Sequence, residues 1–164
     1  MRNIIFTSLL AFALPAQAQD MQSCYARTYS DAHLAKHPAQ VVKAMVMAFE
    51  LGDAGDSYIR MSALIADGGH AKGGPLVGQW VDQGLYCFEG SADQVGTRCG
   101  IDCDGGVLEV TKVSTQSLTF RTTYLTVGER EECGGSIDLA EEIGKPVSYR
   151  LDRVDPAICT ERLR

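Results

Sequence analysis

At 164 residues, with 45% hydrophobic and 22% charged side chains, the chain has the composition of a folded domain, not of a disordered or low-complexity segment. Its formal charge of −6, from 15 Lys and Arg against 21 Asp and Glu, argues against nucleic acid and anionic membrane surfaces as partners. The 6 cysteines, an even number, read as a disulfide framework if the chain reaches an oxidising compartment.

The first residues point to such a compartment. Arg2 supplies a short basic start, residues 4–14 an apolar stretch, and Ala16-Gln17-Ala18 a cleavage box of small residues, which together make a signal peptide over residues 1–18. The apolar stretch falls well short of the roughly 20 residues a helix needs to span a bilayer, and no later stretch is apolar enough. The expected mature product is one soluble, monomeric domain of residues 19–164, periplasmic or secreted. Removing residues 1–18 takes away Arg2 and no acid, which moves the formal charge from −6 to −7.

Along the mature chain, Ser30 and Asp31 are placed to cap a short N-terminal helix that runs to His37 and stops at Pro38. Residues 41–51 and 57–66 flank the turn-rich sequence Gly52-Asp53-Ala54-Gly55-Asp56 and predict a hairpin. The first arm also satisfies helical spacing through Val42, Met45, Val46 and Phe49. Residues 67–75 hold four glycines and a proline and predict a long mobile loop. Further strands are expected over 77–83, 85–89, 96–103, 107–113, 117–127, 136–139 and 147–154. Within 117–127 the alternation assigns Leu118, Phe120, Thr122 and Tyr124 to one face. Short strands at this spacing predict an all-β fold, an antiparallel β-barrel or β-sandwich with a short N-terminal helix, braced by disulfides.

Cys24 and Cys159 lie near the two ends of the mature chain, where termini commonly meet, and are expected to pair. Cys99 and Cys103 on one extended strand would be roughly 13 Å apart, beyond the ~7 Å a disulfide tolerates. Each then needs another partner, Cys87 for Cys99 and Cys133 for Cys103. The surrounding Cys99-Gly100-Ile101-Asp102-Cys103-Asp104-Gly105-Gly106 lacks the Cys-x-x-Cys spacing of redox pairs and zinc knuckles. It also lacks the Glu that closes an EF-hand, so Asp104-Gly105-Gly106 reads as a hairpin turn.

Three short resemblances bear on function. The Cys-Gly-Ile-Asp-Cys-Asp-Gly-Gly segment resembles a motif of small exported bacterial proteins of unknown function and implies no activity. Gly55-Asp56-Ser57-Tyr58 resembles the nucleophile block of GDSL esterases, but that family's C-terminal Asp-x-x-His block has no counterpart here. Gly78-Gln79-Trp80 resembles the Gly-x-Trp block of lipocalins, which implies a tryptophan plugging or lining a core.

With no nucleophile and base in a recognisable arrangement and no cofactor loop, the expected function is non-catalytic binding of a protein partner or a small apolar ligand. No catalytic, cofactor or metal residue is assigned. The expected surface is the 67–75 loop with the adjacent strand, contributing His70, Lys72 and Trp80. Two alternatives stand beside it. One is a hydrolase using two carboxylates among Glu50, Asp56, Asp102, Asp104 and Glu109. The other is a metal-binding protein using His33, His37 and His70, the first two at the i, i+4 spacing of one helical face.

Overall fold

The computed structural model describes residues 21–52, 54–90, 93–128 and 135–163. The expected signal segment, 1–18, lies outside them. Nine strands and two short helices follow in the order β1 (Met21–Thr28), α1 (Asp31–Lys36), β2 (Val42–Leu51), β3 (Ser57–Ile65), β4 (Trp80–Glu89), β5 (Arg98–Gly100), β6 (Gly106–Val113), β7 (Ser117–Val127), β8 (Ile137–Asp138), β9 (Val147–Arg153) and α2 (Pro156–Arg162). Among the described residues every strand pairing is antiparallel, and the fold is a barrel, not a sandwich. The strands pair in the order β6-β5-β4-β3-β2-β1-β9-β7-β8, and a further β6–β7 pairing closes the ring. Eight strands form the wall, while β8 is appended to the end of β7 through Thr126 and Val127. The first and last wall strands meet in a short seam, Tyr25 opposite Arg153 and Ala26 opposite Asp152.

Alternate residues of the wall point inward and fill the barrel. Tyr25, Met45, Met47, Phe49, Ile59, Met61, Leu108, Leu118, Phe120, Leu125 and Tyr149 are all 2% exposed or less. An eight-stranded barrel is just wide enough for side chains to occupy its interior, and these large ones do so. β2 is buried on its other face as well, where Val46 and Ala48 pack with Cys24, Cys159 and Leu163 under α2. Burial on both faces accounts for the unbroken apolar run Ala44-Met-Val-Met-Ala-Phe49, whose periodicity fits strand and helix alike.

The helix that braces the wall is C-terminal, not N-terminal. α1 is six residues long and buries no side chain, so it serves as a connection between β1 and β2. α2 starts where Asp155 accepts from the Ala157 N–H at 2.8 Å and Pro156 opens the first turn. A disulfide between Cys159 and Cys24 (Cα atoms 5.9 Å apart) fastens it to β1. A second disulfide joins Cys87 to Cys99 across β4 and β5. Cys103 is also disulfide-bonded; its expected partner, Cys133, lies outside the described residues.

The expected strands 77–83 and 85–89 are a single strand, β4, and two others take a different shape. The 96–103 strand stops at Gly100, because Cys103 and Asp104 both adopt left-handed backbone, at φ 60° and 65°, and the chain curls into the β5–β6 turn. The turn ends at Gly106, φ 94°, where a Cβ would lie 2.0 Å from the Tyr124 carbonyl oxygen. In β7 the inward phase holds at Leu118, Phe120 and Thr122 and then breaks. Val107 pairs with Tyr124 but Leu108 with Thr122, so Thr123 is an extra residue. This bulge turns Tyr124 out and hands the interior to Leu125 and Val127, correcting the expected face for Tyr124.

Candidate functional site

A filled barrel leaves its ends and its outer wall as places for chemistry. At one end gather the β1–β2, β3–β4 and β5–β6 connections with the chain around β8. The β3–β4 connection holds the glycine-rich segment, which is anchored and not the mobile loop its composition predicts. Asp67 accepts from the Gly73 N–H at 2.8 Å, residues Gly69–Ala71 form a 3-10 turn, and the Gly69 N–H donates to the Pro38 carbonyl at 2.8 Å. Ala71 is buried in the main core. At Gly69, φ 49°, a Cβ would stand 2.3 Å from the Ala39 carbonyl oxygen, so glycine here serves close packing against the 38–40 segment.

This anchored loop forms one side of a groove of about 550 Å³. His70 Nε2 lies 3.1 Å from the Ala140 carbonyl, which ties the loop to the chain after β8. That chain is fixed from beneath, because the buried Tyr149 hydroxyl donates to the Leu139 carbonyl at 2.8 Å. The Asp138 carboxylate is occupied as well, accepting from the Leu125 and Ala140 N–H groups at 3.0 Å each. Gly74, Pro75 and Leu76 face Tyr124, Ile137 and Ile143 across the groove. Ile143 is 96% exposed and Tyr124 47%, a rim of apolar surface left open to water. Such a groove can hold an apolar group, with His70 as a polar neighbour.

Of the three residues expected on the binding surface, His70 lines the groove. Lys72 is exposed on the loop without lining it. Trp80 stands on the outer wall at the start of β4, 39% exposed, so it neither plugs nor lines the core. The Arg162 guanidinium covers its ring at 4.5 Å and reaches Asp82 at 3.2 Å. Tyr124, Ile137 and Ile143 escaped the sequence reading. Ile143, a lone large apolar residue in Glu141-Glu142-Ile143-Gly144, carried a legible signal; Tyr124 depended on the bulge.

The metal arrangement does not assemble. His33 and His37 stack with ring centroids 4.3 Å apart, and His33 Nε2 meets the buried Gln40 side chain at 3.0 Å. His70 is engaged elsewhere, and among the described residues no group of three or more His, Cys, Asp or Glu could hold an ion. The carboxylates are mostly dispersed. Glu109 pairs with Arg121 at 3.4 Å, Asp104 sits in the β5–β6 turn, and Asp56 accepts from the Tyr58 hydroxyl at 3.5 Å. Glu50 and Asp102 do share one shallow concavity on the outer wall, but Glu50 is committed to Arg60, whose Nε donates to it at 2.6 Å.

Among the described residues no helix is long and apolar enough to cross a membrane. No protein-family model matches the chain, and neither a curated protein nor a solved structure matches it either.

Proposed function

We propose that the protein is an exported, non-catalytic binding protein that receives an apolar side chain of a protein partner in the groove at the barrel end. The carrying observation is the pairing of a filled interior with an open apolar rim. The core side chains occupy the space in which a hollow barrel would enclose a small ligand, whereas Ile143 and Tyr124 project toward solvent beside a loop held rigid at both sides. Rigid, concave, largely apolar surfaces with a polar neighbour are the usual form of a recognition site. The disulfides of Cys24–Cys159 and Cys87–Cys99 are consistent with an oxidising compartment, which supports export.

A peptide-display library panned against the oxidised protein tests this reading. Enriched peptides should share a large apolar anchor, and Ile143→Asp should weaken them at least about tenfold, the equivalent of about 1.4 kcal/mol. Ile143 makes so little contact with the body that the same substitution should leave the melting temperature unchanged. Peptides that bind Ile143→Asp as tightly as the wild type, or a selection that enriches none, would remove the proposal.

A further inference from the structure

The concavity on the outer wall has a different chemistry. It lies over β2 to β5 with a volume of about 410 Å³. The antiparallel register sets Tyr58 beside Tyr86 and Arg60 beside Gly84 on the outward face of β3 and β4. The two tyrosine rings meet at 5.5 Å and 60°, and they are 38% and 44% exposed. Trp80 and Phe88, their aromatic neighbours along β4, each already have a guanidinium over the ring, from Arg162 and Arg98. Gly84 makes the floor of the trough, and a Cβ built there would meet nothing within 4 Å.

The polar groups of the trough are held in place by the protein itself. Arg60 donates through Nε to Glu50, approaches it again through a terminal nitrogen, and donates through the other to the Leu163 carbonyl. These contacts use three of the five N–H donors a guanidinium carries, which leaves donors beside the Glu50 oxygens. Asp102 adds a second carboxylate to the lining.

A purely apolar occupant would take water from the Asp102 carboxylate and from the two Arg60 donors that remain free. A polyanion would meet Glu50, Asp102 and the negative charge of the whole chain. A ligand with an apolar C–H face and a girdle of hydroxyls satisfies both requirements, since it can cover a tyrosine ring, accept from Arg60 and donate to a carboxylate. We infer that this trough binds a saccharide of uncharged pyranose units, bearing hydroxyl or acetamido groups.

The test uses the full oxidised protein and four tetrasaccharides: cellotetraose, maltotetraose, the N-acetylglucosamine tetramer and, as the acidic comparator, tetragalacturonate. Isothermal titration should detect one of the first three below about 10 mM, with tetragalacturonate at least about tenfold weaker. Gly84→Leu, which fills the trough from an open position, and Tyr86→Ala, which removes an exposed ring, should each weaken that ligand at least about tenfold. Thermal melts identify any variant that has lost its fold, and Tyr86→Ala, at an exposed position, keeps the test valid if Gly84→Leu does so. Failure of all three neutral sugars to bind, preference for tetragalacturonate, or unchanged affinity in the folded variants would overturn the inference.

Discussion

Tyr149 shows how much one phenol can be asked to do. Its hydroxyl, 2% exposed with the rest of the residue, holds the Leu139 carbonyl and with it the segment beneath the end groove. Burial, reinforced by the charge of Glu141, pushes this phenol well above its ordinary value near 10. Tyr25 is shifted in the same direction by burial first, then by Asp93, which with Arg153 contacts its hydroxyl. Below pH about 10 the folded and unfolded chains both keep these protons, so the stability tied to them is fully present. Above it the unfolded chain ionises while the folded one does not, and stability falls by up to about 1.4 kcal/mol per pH unit for each group. Urea midpoints should therefore be flat from pH 7 to 9 and fall steeply beyond 10, with a shallower fall in Tyr149→Phe. Equal slopes in the two proteins would contradict this assignment.

At the scale of elements, α2 is the cover on the outer face of β2. Its seven residues cover Val46 and Ala48 on the outside of β2, and the Cys24–Cys159 bond fixes one end of the chain to the other. Replacing both cysteines with alanine should cost about 2–5 kcal/mol. Amide exchange in α2 should rise more than in β6 and β7, and protection left unchanged there would mean that packing alone holds the helix.

How legible each element was depended on whether one or two of its faces are covered. β7 announced itself over Ser117–Val127 because most of it has one wet and one dry face; only the bulge at Thr123, which no local pattern marks, was invisible. β4 was expected as two strands because Gly84 looks like a break, yet Arg60 pairs across from it without interruption. β1 shows no alternation because each face mixes polar and apolar residues, Ser23 and Arg27 beside the inward Tyr25 and Thr28 beside Cys24, which lies under α2. α2 itself carried a readable start in Asp155-Pro156, a cap followed by a proline, but its brevity hid the periodicity. The end groove was half legible: glycine density located its loop and His70, whereas Tyr124 and Ile143 join it from more than fifty residues away.

For the whole molecule, the decisive event is closure. Strand pattern alone could not separate barrel from sandwich, because that choice rests on the β6–β7 pairing and on the β1–β9 seam between opposite ends of the chain. β9 also carries the inward Tyr149 and Leu151 and pairs along six residues of β7. A chain ending at residue 146 should consequently lose cooperative unfolding altogether, as read by calorimetry or denaturant titration. A sharp transition in that truncated chain would show that the remaining strands make a self-sufficient sheet.

The same seam imposes an order of events in time. A barrel whose first strand must wait for β9 remains open until residues 147–153 have emerged, and the Cys24–Cys159 bond must wait longer. Nothing made earlier can complete the wall. The topology therefore puts the covalent latch last: oxidation can join Cys24 to Cys159 only once β1 and the segment after β9 have been brought together.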